Sequence, residues 1–250
     1  LQGYNLNCPS QGLFSTPGRA WLEQQVLSRS EQLIVRQLLA QVEFLEGQIA
    51  EVEHHMAYLA SDDPRIARLL QISGVGLFTA FSILAVIGDI ERFPTPSKLC
   101  GYVGLVPREH QSGGRGYRGH ITKAGDRLLR WLIIEAAQAA VRCDPHWQLV
   151  HARIARRRGY SVAVVAVARK LLVTIWHMLT QQTNYQYLRS PSYVTKLQQW
   201  AYSIGHQRLP TPSTKDFVAM QLRALGLSQL ADALVSVRRN AALALDMPVT

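Results

Sequence analysis

Between Gly104 and Gly125 the sequence reads Gly-Leu-Val-Pro-Arg-Glu-His-Gln-Ser-Gly-Gly-Arg-Gly-Tyr-Arg-Gly-His-Ile-Thr-Lys-Ala-Gly, a set of residue types suited to chemistry on a phosphate. Its serine, Ser112, follows Arg108 by four positions and directly precedes Gly113, Gly114 and Arg115. Glycines carry no Cβ, so a phosphodiester can approach both the backbone and the hydroxyl. Arg108, Arg115, Arg118 and Lys123 can neutralise phosphate oxygens, the arginines in bidentate fashion. The strongest chemistry such a segment could carry is attack of the Ser112 hydroxyl on phosphorus. A serine is a poor nucleophile unaided and needs a base, a metal ion or strong stabilisation of the developing anion. His110 and Glu109 are neighbours in sequence, which does not make them neighbours of the hydroxyl. Composition alone leaves a second reading open: a solvated loop that grips nucleic-acid backbone without reacting, or a plain linker.

Two other places could meet phosphate. Gly74-Val75-Gly76 separates the apolar run Leu69–Ile72 from the helix Leu77–Ile87, in the pattern of a helix-hairpin-helix. There Gly74 and Gly76 would admit a phosphate to the free N–H groups of the second helix; the same pattern also serves as a tight turn between two core helices. Arg156, Arg157 and Arg158, with Arg153 before them and Arg169 and Lys170 after, form a basic run at a helix end. It fits nucleic-acid backbone or a solvated face. His146 and His151 are five apart, a poor helical spacing for a shared metal, and no metal site is read from the sequence. Tyr117 and Tyr102 could stack on bases.

These groups need a scaffold. The chain has 250 residues, 48% of them hydrophobic, which supports a real core and excludes a disordered polymer. Its formal net charge of +10 suits a polyanionic partner. Three arginines against eight carboxylates leave residues 1–64 at −5 and the remainder at +15, as two modules with different jobs would be. Cys8, Cys100 and Cys143 are scattered and odd in number, consistent with a reduced cytoplasm rather than a disulfide framework. No signal peptide is visible, and the apolar runs are too short to span a bilayer, Val162–Ala168 being interrupted by Arg169 and Lys170.

The periodicities predict an all-α fold: a long coiled-coil helix followed by a helical domain that holds the hairpin-like element and the glycine-rich basic loop. Residues 1–18 read as irregular and 19–63 as a coiled-coil connector. Its stripe is Val35, Leu38, Val42, Leu45, Ile49, Val52, Met56 and Leu59. That stripe wants a partner helix, from the same chain or from a second copy. Asp63 before Pro64 caps the next helix. Residues 64–184 form the main domain, with helices over Ser97–Val103, Thr122–Arg142, Pro145–Arg158 and Ser161–Gln182; Trp176 and His177 read as core. Gly104–Gly119 reads as a polar loop, with no convincing β-hairpin pattern. Residues 185–250 read as an appended helical tail without a chemical role.

From about Ile66 to Val141 the chain resembles the C-terminal transposase domain of the insertion sequence 110/116/902 family. The matching elements are Ile72–Gly76, Ile87–Ile90 with Arg92-Phe93-Pro94, Gly101–Arg108, Gln111–Gly114, Ile121–Gly125 and Leu128-Leu129-Arg130, in that order. The preceding helix is similar to the family's coiled-coil connector, so the resemblance covers roughly residues 12–180. It implies a two-domain recombinase. An N-terminal RuvC-like domain holds divalent metal (Mg) on four acidic residues, and the serine matching Ser112 becomes linked to the DNA phosphate. That phosphoserine retains the phosphodiester's energy, so rejoining needs no ATP. The resemblance also implies DNA as partner, a guide RNA encoded beside the gene, a homo-oligomer formed through the coiled coil, and a bacterial cytoplasmic setting. Two departures stand out. Gln111 occupies a position where the family often has serine or an acid, and nothing in residues 1–64 resembles the acidic domain. The chain, which starts at Leu1 rather than Met, is therefore expected to bind no metal itself and to be inactive alone. The alternative is a non-catalytic, dimerising, nucleic-acid-binding fragment of a decayed transposase.

Overall fold

A computed structural model describes residues 12–112 and 115–236, except the side chains of residues 109–112, 115–118 and 120. The chain divides after Glu53 into two units. In the first, Ser15 accepts a hydrogen bond from the Gly18 amide and Pro17 sits in the opening turn of α1 (Thr16–Glu23). Leu22 and Leu39 are buried, and Arg19 pairs with Glu46 at 2.5 Å. The long helix α2 runs over Arg29–Ala60. Its stripe residues Leu38, Leu45, Ile49, Val52 and Leu59 are all more than half exposed.

The second unit confirms the all-α expectation. It contains α3 (Pro64–Leu70), α4 (Leu77–Ile87), α5 (Pro96–Val103), α6 (Arg127–Cys143), α7 (Pro145–Arg158) and α8 (Tyr160–Gln181). Four of these helices open on a side-chain cap. Asp63 accepts from the Arg65 amide ahead of Pro64, Thr95 from Lys98 ahead of Pro96, Asp126 from Leu129, and Asp144 from His146 ahead of Pro145. The central element is α8, which buries Val164, Val167, Ala168, Leu171, Leu172, Ile175 and Met178 and packs against α5, α6 and α7. One expectation is corrected here: α8, at 22 residues, is long and apolar enough to cross a membrane. A helix winds Arg169 and Lys170 onto one exposed face, so they interrupt the sequence run without interrupting the apolar stripe, and half of the helix's most apolar window is buried. Trp176 is only partly buried, its Nε1 donating to the Phe93 carbonyl at 2.8 Å, and His177 is exposed rather than core.

Residues 185–236 share this core. They form α9 (Ser190–Ile204), α10 (Thr214–Ala224) and α11 (Ser228–Ser236), and contribute the fully buried Tyr193, Trp200 and Phe217. Buried polar bonds tie them to the front of the unit. Trp200 Nε1 donates to the Ala57 carbonyl (2.9 Å), Tyr193 Oη to Ala67 (2.9 Å) and Gln221 Nε2 to Ser61 (3.3 Å). Gln71 bonds Asn184 and the Tyr185 amide, while Trp147 Nε1 donates to Tyr185 Oη. Burial pushes the Tyr185 and Tyr193 hydroxyls far above the ordinary tyrosine range. Above pH 10 the unfolded chain loses protons that the folded chain keeps. Stability contributed by these groups is therefore fully present below pH 10 and falls as pH climbs past it. Tyrosinate absorbance and helical circular dichroism should change together in an alkaline titration; ionisation of both tyrosines without unfolding would contradict this.

Candidate nucleic-acid interface

The segment expected to be a loop is a β-ribbon. Strands β1 (Pro107–Ser112) and β2 (Arg115–Ile121) pair antiparallel, with Ser112 opposite Arg115, His110 opposite Tyr117 and Glu109 opposite Arg118. Ser112 is thus the last residue of β1, at the tip, and Gly113 and Gly114 lie outside the described residues. Alternation along the strands puts register positions 108, 110, 112, 115 and 117 on one face of the ribbon and 109, 111, 116 and 118 on the other. The Ser112 position therefore shares a face with those of Arg108, His110 and Arg115, and not with that of Arg118. Between Pro107 and Glu109 the register shifts by one, a bulge that increases local twist. The side chains of Ser112, Arg115 and Arg118 lie outside the described residues.

A two-stranded ribbon is marginal in water without support. The support is a laced foot. Thr122 N donates to Val106 O (2.8 Å), Lys123 N to Gly104 O (3.3 Å) and Asp126 N to Tyr102 O (3.3 Å), while Arg130 Nη1 reaches Val103 O (2.9 Å). Two glycines permit this crossing. A Cβ on Gly104 would overlap the Ala124 carbonyl, one on Gly125 the Tyr102 carbonyl, and both residues have positive φ (77° and 103°). Arg108 is exposed, and its Nη2 donates to Thr122 O at 3.2 Å, holding the guanidinium beside the foot.

Lys123 is exposed and holds φ at 55°, a left-handed conformation that costs a non-glycine residue about 1 kcal/mol. Lys123→Gly should raise the unfolding midpoint modestly, because glycine adopts that backbone without strain. A midpoint that stays level or falls would show that the left-handed conformation carries no penalty there.

At the hairpin-like element, Gly74 (φ 86°) lies against α6, where a Cβ would overlap the Ala136 carbonyl. That requirement is close helix packing. Gly76 is different: it is exposed, has open space around its α-carbon and precedes α4 with no side-chain cap. The structure thus separates the two glycines, one facing the core and the other solvent. Arg156, Arg157 and Arg158 are exposed in the last turn of α7, where cations favour the helix dipole, and form no ion pair among the described residues. His146 stacks on Tyr187 with 3.8 Å between ring centroids, and His151 is buried beside Tyr160. No group of three or more His, Cys, Asp or Glu that could hold a metal occurs among the described residues.

Part of the chain is similar in sequence to known proteins. Residues 66–152 match the family described as Transposase IS116/IS110/IS902. A probable family 20 transposase of Pseudomonas aeruginosa is 35% identical over 157 residues, covering 61% of this chain and 46% of the relative. The transposase for insertion sequence element IS1111A of Coxiella burnetii is 36% identical over 143 residues, covering 55% and 39%. That for IS1328 of Yersinia enterocolitica is 30% identical over 145 residues, covering 56% and 43%. The chain spans less than half the length of each of these relatives.

Proposed function

From the membership of residues 66–152 in the IS116/IS110/IS902 transposase family, we propose that this chain supplies the serine-bearing half of a DNA transposase. The observation that carries the reading is the extent of the matched segment, which runs from α3 through the whole ribbon into α7 and so contains Ser112 at the ribbon tip. Ser112 is the nucleophile. Its Oγ bonds to phosphorus as the phosphorus–oxygen bond to one strand's sugar breaks; the serine gives up its proton and the departing sugar oxygen takes one. A second strand's hydroxyl then reverses the step and restores a phosphodiester, with no net change in bond type and no need for ATP. Arg108, Arg115, Arg118 and Lys123 neutralise the phosphates around the tip, and Gly113 and Gly114 let the backbone approach them.

Arg156, Arg157 and Arg158 hold DNA backbone away from the reaction, and the helix-hairpin-helix contributes through Gly76, with Gly74 seating it on α6. The uncovered stripe on α2 pairs with a second copy as a coiled coil, making a homo-oligomer. A guide RNA fits the same basic surface. The magnesium that the resemblance implies would be held by the family's acidic domain. The second reading is a dimerising chain that grips nucleic acid without cutting it, favoured by the exposed run Arg156, Arg157 and Arg158, which forms no ion pair among the described residues. The test is chemical: full-length protein mixed with element-end DNA and denatured should yield a covalent adduct. Its digest should place the phosphate on Ser112. An adduct at another residue, or one that survives Ser112→Ala, ends this reading.

A further inference from the structure

The α3–α4 turn encloses a cation of its own. Lys196, on α9, donates to the carbonyls of Leu70 (2.9 Å), Ile72 (2.7 Å) and Val75 (2.8 Å). An ammonium has three donors, and here each meets one main-chain carbonyl. Leu70 ends α3, where the helix presents the negative end of its dipole. No carboxylate pairs with this ammonium among the described residues. Burial pushes it down to about 8, so it is held at a cost that the carbonyls offset.

Convergent carbonyls around one point are the coordination by which proteins strip water from a monovalent metal ion. We propose that Lys196 is a resident cation for this turn, a positioning residue that fixes its peptide groups for nucleic-acid phosphate. The link is geometric. The structure has no cis peptide among the described residues, and a trans peptide sets its carbonyl and N–H on opposite sides. Holding the Val75 carbonyl inward aims the Gly76 amide outward, and that amide has no partner among the described residues. Gly74, pressed on the Ala136 carbonyl, fixes the other side of the turn. Residues 185–236 thereby gain a role in the interface, since α9 carries the cation.

The phosphate half of this inference rests on the nucleic-acid reading above; the cation half does not. Lys196→Ala leaves three carbonyls facing a space that a potassium ion can fill. The 250-residue chain and this variant are compared in potassium chloride and in choline chloride at equal ionic strength. Both thermal midpoint and affinity for duplex DNA are read. Wild type should be indifferent to the choice of salt. The variant should unfold earlier and bind DNA about tenfold more weakly in choline, with both losses reversed in potassium. Equal behaviour of the variant in the two salts, impaired or not, overturns the proposal. Lys196→Asn is held to the same outcomes should the alanine variant not fold, because its short side chain leaves room for the ion and adds an oxygen ligand. If wild type binds no DNA, the nucleic-acid reading falls, while the thermal comparison still decides whether Lys196 is a cation surrogate.

Discussion

Ser112→Ala in the full-length transposase is expected to slow strand exchange by about four orders of magnitude or more, the scale on which loss of a covalent nucleophile is felt. Affinity for DNA should change by less than about twofold, because the substitution removes one neutral hydroxyl and none of the surrounding charge. The contrast between the two measurements carries the meaning. Ser112 is the final paired residue of β1, with Arg115 opposite, so an alanine there retains the backbone pairing and the tip's register. A folding defect would lower binding and exchange together. Exchange within tenfold of wild type would show that the hydroxyl does not attack, and the ribbon would then be a gripping element only.

Gly125→Ala should be the most damaging single-methyl substitution near the interface. The added carbon would overlap the Tyr102 carbonyl, and φ at 103° is a conformation alanine avoids. Relief requires the backbone of residues 102–104 to move away from residues 123–126, which costs the Asp126 N to Tyr102 O bond. A loss of about 3 kcal/mol is expected, a sizeable part of the 5–15 kcal/mol that holds a domain together. It would read as a lower denaturant midpoint with little change in slope. Gly101→Ala is the control: it lies in α5 with nothing within 4 Å of the added carbon, and should be neutral or slightly stabilising. If both variants unfold at the wild-type midpoint, the laced foot is not what holds the ribbon.

The helices were legible because their caps and stripes are local signals. Asp63-Pro64 combines an N-cap with a proline at the first helical position, and it begins a helix in the structure. The ribbon was not legible from its periodicity. Strand recognition relies on one apolar face, and Arg108-Glu109-His110-Gln111 is polar at every position. A Gly-Gly pair between two short runs is a two-residue hairpin signal, and it was the one cue available. For α8, Arg169 and Lys170 looked like an interruption because a linear run ignores the helix's rotation. The foot and the Lys196 cluster were out of reach for another reason. Both depend on segments that meet only after folding: Gly104 with Ala124, and α9 with the α3–α4 turn more than 120 residues away in sequence.

The exposed stripe on α2 bears on how activity would depend on abundance. If it pairs with a second copy, the paired species obeys mass action, so at low abundance its amount grows with the square of the chain's concentration. If pairs are the acting form, a tenfold fall in expression lowers their number about a hundredfold. An element encoding such a chain would limit its own movement when weakly transcribed and escape that limit abruptly when transcription rises, with no repressor needed.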